Sequence, residues 1–113
     1  MPRTALTVQQ ILIDGIAPSF VAGDAVNHHS FSNTGEELLE VKNTGGAPVT
    51  VTIKANGVKV GGVLVPDVTV SVPATTGVKM IGRMDPSVFN QAGGLVNVDL
   101  SSGTGITIAA FRL

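Results

Sequence analysis

The sequence predicts an all-β protein, an antiparallel β-sandwich of the jelly-roll or immunoglobulin-like kind, on three observations. Val, Ile and Thr supply 35 of the 113 residues, whereas Lys and Glu together supply seven. Side chains branched at Cβ fit a pleated surface and lose rotamer freedom in a helix. Apolar and polar residues alternate with a period of two through most of the chain after residue 37. Fourteen Gly and six Pro punctuate the chain at the short intervals that many tight turns require. With no Trp, no Tyr and four Phe, the core of such a sandwich has to be aliphatic.

The elements follow in order. Leu39 and Val41 alternate with Glu40 and Lys42 and mark a half-buried strand, closed by the turn-rich stretch NTGGAP at 43–48. Val49, Val51 and Ile53 alternate with Thr50, Thr52 and Lys54 in the next strand. Asn56-Gly57 tolerates positive φ at both central positions, so it predicts a type I′ hairpin with a return strand at 58–60, ended by Gly61-Gly62. The run at 63–65 is too short to assign alone. Val68, Val70 and Val72 form a strand up to Pro73, and another runs over 78–81. Asp85 followed by Pro86 reads as an N-cap with Pro at the first helical position, which predicts one short helical turn over 85–90. At most one or two such turns are expected. Val96, Val98 and Leu100, then Ile106, Ile108 and Ala110, supply the last two strands. The expected core is Val49, Val51, Ile53, Val68, Val70, Val72, Val96, Val98, Leu100, Ile106 and Ile108.

The length allows one domain over 1–113, with the main sandwich at 38–113. Residues 1–37 differ in character. Val8, Ile11, Leu12, Ile13 and Ile16 are apolar without a clean period, and 24–35 is polar around a lone Phe31. Two readings stay open for this segment: an edge strand plus a long loop, or an extended arm that packs on a neighbouring subunit. On the second reading, deletion of residues 1–16 leaves a folded domain.

Composition also bounds function. Charged residues are 13% of the chain and the net charge is -1, too little for a general electrostatic grip on nucleic acid or on anionic lipid. Without Cys there is no thiolate nucleophile and no Cys zinc site. No apolar run approaches the roughly 18 residues of a membrane span. No apolar segment follows basic residues at the N-terminus, so no signal peptide is expected. His28 and His29 point to opposite faces if extended and read as solvated loop histidines. Glu36, Glu37 and Glu40 form the only acidic cluster, and they read as solvated at a strand entrance. There is no Gly-x-Ser-x-Gly elbow and no phosphate loop, and Arg3, Arg83 and Arg112 are scattered. Neither catalytic residues, nor a cofactor, nor a metal ligand set is expected. The chain reads as a non-enzyme whose function lies in assembly.

The phrases PRTALTVQ at 2–9, LEVKNTGGAPVTVTI at 39–53, TVSVP at 69–73, DPSVFNQ at 85–91, VNVDL at 96–100 and IAAFRL at 108–113 occur in an order that spans nearly the whole chain. In this layout the sequence resembles the small β-sandwich capsid decoration, or cement, proteins of tailed bacteriophages. The resemblance implies a virion protein made in the host cytoplasm and seated on the outer capsid surface. It implies a homo-oligomer, commonly a trimer, that bridges capsomers of the major capsid protein and stabilises the head, with no nucleic acid or membrane as partner. Partner contacts are expected at Leu6, Val8, Ile11 and Ile13, with Arg83 and Phe89 from the region of the helical turn. The alternative is a tail or fibre-associated module that recognises a host-surface glycan or protein. The absence of Trp and Tyr weighs against it, because binding hot spots favour them.

Overall fold

Alternating apolar residues build sheets here because each strand can bury one face and leave the other to solvent. The computed structural model describes residues 3–112. Met1, Pro2 and Leu113, which belong to the N-terminal segment and to the terminal phrases above, lie outside the described residues. The elements are β1 (Thr4–Ala5), β2 (Val8–Gln10), β3 (Val21–Ala22), β4 (His29–Ser32), β5 (Glu37–Asn43), β6 (Val49–Ile53), β7 (Lys59–Val60), β8 (Val63–Leu64), β9 (Val68–Val72), β10 (Gly77–Ile81), α1 (Pro86–Phe89), β11 (Leu95–Leu100) and β12 (Ile106–Arg112).

Two sheets face each other. One runs β4-β11-β6-β9, with β1 added in parallel beside β4. The other runs β3-β12-β5-β10, with β2 added in parallel along the same edge of β12 that β3 uses. From β3 onward every link between sandwich strands crosses from one sheet to the other except β6 to β9, which stay together. This is the jelly-roll order. In the immunoglobulin order the last two strands share a sheet, whereas β11 and β12 lie in opposite sheets.

The core forms where the two inner faces interleave. Leu39 and Val41 from β5, with Ile106, Ile108 and Ala110 from β12, meet Val49, Val51 and Ile53 from β6 and Val96, Val98 and Leu100 from β11. Val68 and Val70 depart from the expected core. Val68 is 42% exposed and Val70 half-buried, because β9 is an edge strand with β6 on one side only. The helical turn matches its expected position. Asp85 caps it, accepting the Ser87 amide at 2.9 Å and the Ser87 hydroxyl at 2.8 Å.

The hairpin expected at Asn56-Gly57 is displaced. The tight turn falls instead at Gly61-Gly62, where φ is 60° and 83°, between β7 and β8. These are the positive values that a two-residue turn needs and that Gly adopts without strain. Asn56 has a different duty. Its amide nitrogen donates to Ser87 O at 3.2 Å and Asn90 O at 3.0 Å, and its side-chain oxygen accepts the Val58 amide. The base of the hairpin is thereby fastened to α1.

Residues 4–10 form edge strands on the chain's own sheets. The chain leaves β1 on one sheet, drops Leu6 into the core at 6% exposure, and joins the other sheet as β2. This strap closes one lateral side of the sandwich. Deleting 1–16 therefore removes a core side chain and both edge strands, contrary to the expectation of an intact remnant.

Candidate functional site

The two groups that looked most like solvated chemistry are structural. His29 is fully buried on β4. Its Nε2 lies 2.9 Å from the Asp24 amide and its Nδ1 3.2 Å from Thr4 O. A backbone amide can only donate, so Nε2 is the acceptor and Nδ1 carries the proton. His28, at φ 62°, accepts the Leu100 amide on Nδ1 at 3.2 Å. Glu37 is also fully buried, as the first inward residue of β5, and its Oε2 takes the Arg112 Nε and Nη2 at 2.6 Å each. Glu36 is exposed as expected and Glu40 and His28 are half-buried, whereas solvation fails at His29 and Glu37 for one reason. Each side chain finds a backbone or guanidinium partner that compensates its burial. Arg3 pairs with Asp99, and Lys54 with Asp67 at 3.0 Å. Among the described residues no three His, Asp or Glu side chains are grouped to hold a metal.

Surface apolar residues offer more. After β2 the chain makes a loop whose base is clamped by the Gln9 amide, which donates to Ser19 O at 2.8 Å and accepts the Ser19 amide at 2.9 Å. Phe20 then packs edge-on against Phe111 at 6.2 Å between centroids, with the Lys42 ammonium 4.2 Å over the Phe20 ring. Between these anchors a turn closes with the Gly15 amide on Leu12 O at 2.9 Å. The anchored loop holds Ile11, Leu12 and Ile13 in solvent, and Ile13 is fully exposed. Ile11, Ile16 and Pro18 line a shallow hollow with Met80 of β10 and Phe111 of β12. Glu40 borders the same hollow, so the outer face of the β3-β12-β5-β10 sheet carries here a largely apolar surface with one acidic residue at it.

A second apolar feature is the β7–β8 hairpin, which exposes Val60, Val63 and Leu64. Its sequence signal was Gly61-Gly62 between valines, obscured by the stronger-looking Asn56-Gly57. A third is a small groove of about 130 Å³ near α1, lined by Ile53, Val68, Ile81, Arg83, Met84 and Phe89.

The six expected contact residues thus fall in three places. Leu6 is core and Val8 is half-buried against it. Ile11 and Ile13 lie on the anchored loop, and Arg83 and Phe89 share the groove beside α1. Leu6 has no apolar surface left for a partner, because the strap turns it inward. Met80, Val60, Val63 and Leu64 extend the apolar surface beyond those six. Neither protein-family models, nor curated proteins, nor solved structures give a match to this chain.

Proposed function

We propose that the chain is a non-catalytic structural protein of a tailed-phage virion, a decoration protein that binds the outer capsid surface and bridges capsomers as a trimer. One observation carries this reading beside the resemblance. Ile11, Leu12 and Ile13 are held in solvent by an anchored loop next to Met80, in a chain whose core is already complete without them. Exposed aliphatic side chains grouped in this way mark a surface that meets another protein. Binding the assembled shell but not its parts stabilises the shell by mass action, about 2.7 kcal/mol per site at a hundredfold excess over Kd. Linking three copies raises the effective concentration of the second and third contacts.

The test is to mix purified protein with undecorated capsids and image them by electron microscopy. Regular density on the outer surface is expected, and bare shells at saturating protein overturn the proposal. The double substitution Ile11→Ser with Ile13→Ser replaces the truncation of 1–16, since it removes exposed side chains only. Its stability should stay within about 0.5 kcal/mol of wild type, while decoration weakens about tenfold or more, from the roughly 1.5–3 kcal/mol that each buried aliphatic side chain contributes. Attachment should survive raised salt, because screening weakens only charge-driven docking.

Sedimentation equilibrium of the free protein should give a trimer. A cyclic oligomer closes self-complementary apolar surfaces without leaving one open. A clean monomer at the concentrations that decorate shells argues against trimeric closure in solution.

A further inference from the structure

We propose that the β7–β8 hairpin of one copy seats on the outer face of the β3-β12-β5-β10 sheet of the next, with Leu64 in the hollow beside Met80 and Lys59 against Glu40. The inference rests on the trimer of the decoration reading and names the contact between its copies.

Among the described residues β7 and β8 pair only with each other and join neither main sheet. A lone two-stranded hairpin is marginally stable in water and gains from a surface to pack on. Residues opposite one another in an antiparallel pair share a face, and neighbours along a strand alternate. The register Lys59↔Leu64 and Val60↔Val63 therefore sets an ammonium beside a leucine on one face and two valines on the other. All four side chains are exposed, Leu64 by 56%. The base is fixed, by the Val65 amide on Val58 O at 3.0 Å and by the Asn56 bonds to the segment of α1. The tip is thus presented in a set direction.

The hollow carries the converse pair. Ile11, Ile16, Pro18, Met80 and Phe111 wall about 270 Å³, and Glu40 borders it. An aliphatic cavity of roughly 150 Å³ holds benzene, so the end of a leucine side chain has room here. Met80 lies across from Glu40 in the β10–β5 register, so an apolar and a charged side chain again stand at cross-strand spacing. Leu64 with Lys59 matches Met80 with Glu40 in both position and sign. Among the described residues, ion pairs join Arg3 to Asp99, Lys54 to Asp67 and Arg112 to Glu37, and neither Lys59 nor Glu40 has one. Lys42, the next outward residue of β5, is held over the Phe20 ring. Leu12 and Ile13 stand outside the hollow and stay available to the shell. Hairpin and hollow are different patches, so the contact is head-to-tail, and it closes a ring of three when successive copies turn by a third of a circle.

Sedimentation equilibrium of the full chain and its variants reads the contact. Leu64→Ser removes the anchor and Lys59→Glu sets acid against acid. Each should weaken association about tenfold or more per contact. Glu40→Lys should do the same, and the exchange Lys59→Glu with Glu40→Lys should recover most of the loss, because opposite charges meet again in reverse. Leu64 and Lys59 are exposed and Glu40 points outward, so urea midpoints should stay at the wild-type value. Trimers unmoved by Leu64→Ser and Lys59→Glu, or an exchange that restores nothing, overturn the contact and leave the decoration reading standing. Bare shells beside a trimer that responds as expected do the reverse. A wild-type chain that stays monomeric or dimeric at its highest soluble concentration also overturns the contact.

Discussion

Replacing Phe31 by Ala should lower the unfolding free energy by about 3–5 kcal/mol, the usual cost of deleting a buried aromatic ring from a packed core. Phe31 is 1% exposed, the largest fully buried side chain among the described residues, and it faces Val96 across the β4–β11 pair. The surrounding residues are fixed by sheet hydrogen bonds on both flanks of β4, from β1 and β11, so the cavity can collapse only in part. Domains of this kind are stable by about 5–15 kcal/mol in all, so one ring accounts for a large share. Phe20→Ala is the matching control. Phe20 is half-buried on the outer face and makes one edge-on contact with Phe111, a pair worth about 0.5–1.5 kcal/mol beyond its area. Urea denaturation should shift the midpoint for Phe31→Ala several times further than for Phe20→Ala, at unchanged slope. Equal shifts would mean that β4 does not pack as a core strand.

β4 also explains what sequence reasoning could and could not reach. The strands over 39–42, 49–53, 68–72, 96–100 and 106–110 were legible because one face carries aliphatic residues at every second position. β4 reads His-Ser-Phe-Ser, and three of its four residues are buried. Two of these are polar, so no hydrophobic period betrays them; their burial depends on the turn at Asp24 and on Thr4 and β11, which are distant in sequence. Val68 fails the other way, since its pattern is that of a core residue but its strand has one neighbour only. The strap was ambiguous because two- and three-residue strands carry too few side chains to show a period. The candidate surface was half legible. Ile11 and Ile13 stand out as apolar residues in a stretch without a period, whereas Met80 joins them only through the pairing of β10 with β5 and of β5 with β12.

Glu37→Ala should cost about 2–3 kcal/mol, below the roughly 3–5 kcal/mol of a fully buried ion pair, because the Arg112 side chain keeps 35% of its surface in solvent. The carboxylate is fully buried, and every part of it is engaged. Oε1 accepts the Thr34 amide at 2.7 Å and the Glu36 amide at 3.1 Å, while Oε2 takes both Arg112 nitrogens. Burial alone pushes this acid up, but the Thr34 amide, the Arg112 guanidinium and the Thr34 hydroxyl outweigh it and hold the group below the usual glutamate range. A depressed native value stabilises the fold above the unfolded value, about 4.3, and that contribution is lost as pH falls through and below it. His29, whose imidazole burial pushes below its ordinary value, adds an acid-labile contribution that begins to be lost at higher pH, below about 6.5. The double replacement Glu37→Met with Arg112→Met removes both charges and leaves apolar stems in their place. It should cost less than Glu37→Ala alone, because no guanidinium is left unpaired, and it should flatten the stability curve below about pH 4.5. If the single and double variants fall equally and both keep the wild-type acid slope, Glu37 acts through its stem rather than its charge. In that event the tie between the start of β5 and the end of β12 is packing, and Arg112 is free to serve another partner.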